Sequence, residues 1–124
     1  MDRERFESLV ARAVEDLPDE FRDRLDNIDI VVDDRHTAGQ LKTVGLAGGQ
    51  TLLGLYEGVP RTKRDIYYGM VPPDKITIFQ KPVEAKCRNE DAIVGEVQRV
   101  VKHEIAHHFG LSDARLDEIE KGQD

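Results

Sequence analysis

The stretch Val100–Asp113 contains the residue types that carry out metal-assisted hydrolysis, at the spacing this chemistry needs. His103 and His107 are four residues apart, so on a helix they lie on one face and can offer two imidazole nitrogens to one metal ion. Glu104 follows the first histidine, where it can reach a water molecule beside the metal without binding the metal. His-Glu-x-x-His is typical of the helix of a zinc hydrolase.

The segment after this motif is predicted to supply a third ligand. Gly110 tolerates the left-handed backbone that ends a helix and reverses the chain, and Asp113 follows three residues later. Two histidines and one carboxylate leave a fourth position on zinc for water. Asp113 has an alternative role as the N-cap of a last short helix, and in that case Asp117 and Glu118 are the fallback ligands.

The motif lies on a predicted long helix, Asn89–Phe109, that ends at Gly110. At about 100° per residue, His107 falls about 40° and Glu104 about 100° from His103, while the valines and isoleucines fall between about 60° and 200°. The histidines therefore border the apolar face and Glu104 lies within it. A carboxylate on that face is costly to ionise without a partner, which favours a functional role over a chance match.

Other polar groups have weaker claims on the site. Glu96 lies one heptad before the first histidine of the motif and is predicted either to orient that ring or to be a solvated charge. His108 falls elsewhere on the helical wheel and is predicted to be structural. Tyr56, Tyr67 and Tyr68 are candidate donors to an oxyanion, although packing is the commoner role of tyrosine.

Hydrophobic periodicity predicts the elements that position this helix. An N-terminal helix is expected because apolar residues recur at three- and four-residue spacing before Pro18. Short β-branched runs bounded by turn residues predict the strands. The predicted elements are a helix at 2–17, a strand at 28–32, a strand or turn at 52–56, a strand at 75–80, the long helix, and a last short helix from about 112 to 121.

These elements predict an α+β fold. A small sheet is expected to pack on the N-terminal helix and on the long active-site helix, with a short C-terminal helix after it. The absence of any linker-like segment or internal repeat predicts a single domain that spans residues 1–124. The segments 38–46 and 61–68 have no clear pattern and are left unassigned.

The composition narrows the partners and the compartment. The 124 residues carry a net charge of −7, with 35% charged residues, which disfavours a nucleic-acid partner. No apolar run reaches the ~18 residues of a membrane span. The single cysteine, Cys87, excludes an intrachain disulfide, and the N-terminal residues do not resemble a signal peptide. We therefore predict a cytoplasmic protein without a membrane partner.

The segment from His103 to Asp113 reads H-E-x-x-H-x-x-G-x-x-D, and it resembles the extended motif of the metzincins with Asp in the third ligand place. From about residue 50 onward the chain resembles the small bacterial minimal zincin-like metallopeptidases. Leu53–Gly58, Asp74–Phe79 and the His-His-Phe-Gly-Leu-Ser-Asp ending of the helix carry this resemblance. One departure is that Met1 and Met70 both precede the motif, whereas metzincins place a methionine-containing turn after the third ligand.

The resemblance implies a minimal zincin-like fold with one zinc ion. His103, His107 and Asp113 become the metal ligands, and Glu104 becomes the catalytic base. The implied partner is a peptide or protein substrate. By analogy with zincins, an extended peptide is expected to pair with the edge of the strand Lys75–Gln80.

Three hypotheses of different classes follow. The leading one is a cytoplasmic zinc-dependent metallopeptidase, or another amide hydrolase, in which Glu104 takes a proton from the attacking water and passes it to the leaving amine. The second is a catalytically inactive, metal-stabilised binding module. The third is a metal-free interaction domain in which the histidines are structural.

Overall fold

The computed structural model of the protein describes residues 1–43, 52–58, 69 and 73–110. The predicted C-terminal helix and the segment 61–68 lie outside the described residues. The elements, in chain order, are helices α1 (Arg3–Glu15) and α2 (Asp19–Arg24), strand β1 (Ile28–Asp33), helix α3 (Ala38–Thr43), strands β2 (Gly54–Glu57) and β3 (Asp74–Phe79), and helices α4 (Gln80–Lys86) and α5 (Glu90–Phe109).

The long helix α5 begins and ends where its capping residues predict. The side chain of Asn89 accepts a hydrogen bond from the backbone N–H of Ala92, at 2.8 Å, and so satisfies one of the free donors of the first turn. At the other end Gly110 adopts a left-handed φ of 69°, a conformation that glycine reaches without a steric penalty. The predicted helix Asn89–Phe109 is therefore confirmed.

The three described strands form one mixed sheet in the order β1-β3-β2. β1 runs parallel to β3, and β2 runs antiparallel to it. β3 is therefore paired on both sides, and the expectation that a peptide binds at its edge is wrong. Its Ile-Thr-Ile-Phe run suits a central strand, which is buried on both faces. β2 has the edge that faces α5.

The core lies between one face of the sheet and the two longest helices. Ile76 and Ile78 of β3 are fully buried there, because alternate residues of a strand point to the same face. They pack against apolar residues of α1 and α5, such as Phe6 and Val97. The architecture confirms the predicted α+β class, with a small sheet covered by the N-terminal helix and the long helix.

Two helices differ from the sequence expectations. The strand predicted over Lys75–Gln80 ends at Phe79, and Gln80 begins α4, which contains Pro82. Proline is tolerated there because the first turn of a helix leaves its N–H groups unpaired. Pro82 thus lies in the first turn of α4.

The unassigned segment after β1 contains helix α3, which has a reciprocal cap. The N–H of Gln40 donates to Thr37 Oγ1 at 3.1 Å, and the N–H of Thr37 donates to Gln40 Oε1 at 2.8 Å. This is a Thr-x-x-Gln capping box, a signal that is visible in the sequence.

No helix among the described residues is long and apolar enough to cross a membrane.

Candidate metal centre and its cleft

The last three turns of α5 carry His103, Glu104 and His107. The two imidazole rings are 6.3 Å apart between centroids, with planes inclined by 72°. His103 is half-buried and His107 is exposed, whereas the neighbouring Ile105 is completely buried. The histidines therefore border the apolar face of the helix, as the helical wheel predicts.

Glu104 is fixed to the edge strand of the sheet. Its Oε1 accepts a hydrogen bond from the backbone N–H of Tyr56 at 3.2 Å. That N–H points away from β3. The backbone of Leu53 is hydrogen-bonded to β3, because Phe79 N–H donates to Leu53 O. In an antiparallel pair every second residue directs its backbone groups to the partner strand, so Leu55 does so as well and Tyr56 directs its N–H to the other side. The edge of the sheet therefore offers a hydrogen-bond donor to Glu104, the residue that follows the predicted ligand His103.

The approach of β2 to α5 depends on Gly54. A Cβ at this position would lie 2.4 Å from Val100 Cγ1 and 3.1 Å from Thr77 O, far inside normal contact. Residues 54 and 56 of a strand share one face, and residues 100 and 104 share one face of a helix. Their spacings also match, at about 6.7 Å along the strand and about 6 Å along the helix. The close approach at Gly54 thus places Tyr56 beside Glu104.

Burial raises the pKa of Glu104 above its ordinary value. The hydrogen bond from the Tyr56 N–H and the neighbouring His107 and His103 act in the opposite direction, because each of them favours the carboxylate. A carboxylate with a raised pKa is a stronger proton acceptor than a fully solvated one. The environment of Glu104 therefore suits a general base.

A cleft of about 310 Å³ opens in front of this carboxylate. Its described lining comes from β2 and the end of α5: Leu55, Tyr56, Gly58, Glu104, His107 and His108. A larger cavity of about 360 Å³ lies at the other end of α5, beside Glu84, Cys87 and Ile93. Ile93 and Glu104 are about 16 Å apart along the helix axis, so the larger cavity is separate from the histidines.

The donors on α5 fit a zinc ion. Imidazole nitrogens are ordinary zinc ligands, and the rings of His103 and His107, with centroids 6.3 Å apart, would be the two that α5 offers to the ion. Within the described parts of the chain, no three His, Cys, Asp or Glu side chains come together as a metal site. The predicted third ligand, Asp113, and the fallback ligands Asp117 and Glu118 lie outside the described residues.

Glu96 does not have the orienting role that was one of its two predicted roles. Its Oε1 accepts hydrogen bonds from Lys86 Nζ at 3.0 Å and from Arg99 Nε at 3.1 Å. It is also about 10.5 Å from His103 along the helix axis. Glu96 therefore ties α4 to α5, and its carboxylate is neither a solvated charge nor a partner of the motif.

Tyr56, His108 and Asp74 form a cluster beside Glu104. The ring of His108 stacks on Tyr56 with centroids 3.9 Å apart, and Tyr56 Oη donates to Asp74 Oδ2 at 2.6 Å. His108 thus lines the cleft, although the wheel places it away from the other histidines. Asp74 was not among the sequence candidates, and its only signal is its place after Pro72-Pro73 at the start of β3.

Comparison with known proteins identifies the family of this chain. No protein of curated function matches the sequence. A family model described as zincin-like metallopeptidase matches residues 25–123, which include β1, β2, β3, the long helix and the whole His-Glu-x-x-His motif. The family implies a peptidase-like function and zinc binding in general terms. Since the match covers most of the sequence, the chain belongs to the zincin-like metallopeptidase family.

Proposed function

We propose that this protein hydrolyses amide bonds of peptides or proteins, with one zinc ion held by His103, His107 and Asp113 and with Glu104 as the general base. The observation that carries the proposal is the state of Glu104. It is a half-buried carboxylate whose pKa is raised by burial, it faces a cleft, and it lies beside two histidines of the required spacing. Zinc, when bound, supplies a Lewis acid that polarises the scissile carbonyl and acidifies water.

The chain's own part in the reaction is to hold and move a proton. Oε1 of Glu104 is engaged by the Tyr56 N–H, so Oε2 is the atom that accepts the proton from the attacking water. The same carboxyl group then delivers that proton to the leaving nitrogen. The hydrogen bond to the sheet edge keeps the carboxylate from rotating between these two steps, which preserves the alignment that proton transfer needs.

The substrate is proposed to lie along β2. Leu55, Tyr56 and Gly58 form one wall of the cleft, and Glu104 and His107 form the other. An extended peptide fits a wall made by a strand, because both repeat at about 3.3 Å per residue.

We also propose that the protein acts in the cytoplasm, where its single cysteine stays reduced. Cell fractionation tests this location.

The experiment compares zinc content and hydrolysis in the same preparations. Protein made without a histidine tag is loaded with one equivalent of zinc and assayed on fluorogenic peptides. Glu104→Gln is expected to keep its zinc and lose about 10²- to 10⁴-fold in kcat, since it removes a general base. Glu7→Gln makes the same chemical change at an exposed position of α1, outside the cleft, and is expected to keep full activity.

Further variants test the ligands. His103→Ala and Asp113→Ala are each expected to lower zinc affinity, measured by competition with a chromogenic chelator. Wild-type activity that survives in Glu104→Gln removes Glu104 from the mechanism. Stoichiometric zinc without hydrolysis of any peptide supports the catalytically inactive, metal-stabilised binding module. Protein that binds no zinc supports the metal-free interaction domain.

A further inference from the structure

Tyr56 contacts α5 at two successive turns. Its backbone N–H binds Glu104, and its ring stacks on His108, four residues further along the helix. Residues four apart on a helix lie on one face, so one residue of β2 meets both side chains. The ring planes are inclined by only 14°, and the stack therefore buries the face of the tyrosine ring against α5.

The hydroxyl of Tyr56 is held from a third element. It donates to Asp74 Oδ2 at 2.6 Å, a short bond of the strong, charge-assisted kind. Asp74 begins β3 and lies two residues before Ile76, the cross-strand partner of Tyr56. His108 Nε2 also lies 4.0 Å from the same oxygen, so each of the three side chains is close to the other two.

This arrangement leaves Tyr56 little freedom in any direction. The ring cannot rotate away from β2 without breaking the bond to Asp74 or losing the stack on His108. The backbone of the same residue is the donor to Glu104. The ring and the donor belong to the same residue, so contacts that hold the ring also limit how far the backbone N–H of residue 56 can shift from Glu104.

We propose that Tyr56 is a positioning residue for Glu104, and that Asp74 and His108 keep Tyr56 in place. Its hydroxyl is occupied by Asp74, so Tyr56 acts through its backbone and does not act as an oxyanion donor. The effect of Tyr56 on catalysis rests on the proposed hydrolytic function. The coupling between two hydrogen bonds, from the Tyr56 hydroxyl to Asp74 and from the Tyr56 N–H to Glu104, is measurable without any substrate.

The first measurement is amide hydrogen exchange at residue 56, followed by NMR in zinc-free protein. Glu104→Ala removes the acceptor and defines the exchange rate of an unbonded amide. Tyr56→Phe keeps the ring and removes the hydroxyl, and it is expected to raise the exchange rate about tenfold, the effect of losing one hydrogen bond. Asp74→Ala is expected to do the same, and Asp74→Asn, which retains an acceptor, is expected to restore slow exchange.

The matched control is Gln40→Ala. The Gln40 amide donates to Glu57 Oε1 at 3.2 Å, so this variant also removes a side-chain hydrogen bond to β2 but does so away from Glu104. Residue 56 is expected to exchange at the wild-type rate in Gln40→Ala. An unchanged rate in Tyr56→Phe, or an equal rise in Gln40→Ala, would overturn the proposal.

The second measurement is kinetic and uses zinc-loaded protein. Tyr56→Phe is expected to lower kcat about tenfold, with KM and zinc affinity unchanged, because only the alignment of the base is altered. A fall in zinc affinity or a rise in KM alone would contradict a positioning role. If the wild-type protein hydrolyses nothing, the proposed function fails, and the exchange rates still decide whether Tyr56 positions Glu104.

Discussion

Gly54→Ala tests whether the contact between β2 and α5 sets both stability and the geometry of the site. The new Cβ would meet Val100 Cγ1 at 2.4 Å, more than 1 Å inside an ordinary carbon–carbon contact. It would also meet the backbone of the central strand, at Thr77 O. Val100 is buried and β-branched, so its side chain has few alternative rotamers on the helix. The strand must therefore move away from the helix.

The magnitude follows from two opposing effects. Overpacking in a well-packed core costs about 1–3 kcal/mol, and the upper end applies here because one neighbour is backbone. Replacing glycine by alanine returns about 0.5–1 kcal/mol through the unfolded chain. The expected net loss for Gly54→Ala is about 2 kcal/mol. Gly95→Ala, on the exposed face of α5 with open space around its Cβ, is expected to gain about 0.5–1 kcal/mol.

A double-mutant cycle isolates the clash. Val100→Ala is expected to cost about 2 kcal/mol by itself, since it removes two buried methyl groups. In the double variant the new methyl at residue 54 occupies part of that space, so the two losses are expected to fall short of additivity by about 1–2 kcal/mol. Urea denaturation of the zinc-free proteins measures all four free energies of unfolding. Simple additivity, or equal stability of Gly54→Ala and Gly95→Ala, would refute the reasoning.

Three more predictions concern single residues. Glu104→Gln is expected to stabilise the zinc-free protein at neutral pH by about 1 kcal/mol, because burial raises the pKa of Glu104 and its ionised form opposes folding. Thermal denaturation measures this gain in stability. The gain should shrink at acidic pH, where the carboxyl group of the wild-type protein is protonated. Glu96→Gln is expected to cost about 1 kcal/mol at neutral pH, because the hydrogen bond from Arg99, and then that from Lys86, hold the pKa of Glu96 below its ordinary 4.5. A lowered folded-state pKa means that this contribution is complete above about pH 5 and is lost as the pH falls below 4.5, so wild type and variant should converge in acid denaturation. Gly110→Ala is expected to cost about 1 kcal/mol through its left-handed φ of 69° alone, since its Cβ would meet no atom of the described residues within 4 Å, and a loss near zero in urea denaturation would contradict this.

Much of the candidate site was predictable from the sequence because its signals are local. The spacing of His103 and His107 places them on one side of a helix, and Asn89 and Gly110 mark the ends of that helix. The alternation of Ile28–Val32 predicts a strand in the same way. Each of these signals depends on residues within a few positions of one another, so the chain carries it before any tertiary contact forms.

The cluster around Glu104 was decided by tertiary structure. Tyr56 and Glu104 are 48 residues apart in sequence, and nothing in the local pattern of either predicts their hydrogen bond. The order β1-β3-β2 likewise places β3 in the centre and gives the edge beside α5 to β2, a strand of four residues. Side-chain periodicity reports which face of a strand is buried, but it does not report which strands are neighbours. The sequence thus determined the motif and its helix, and the packing of that helix against a glycine on the edge strand determined what the motif contacts.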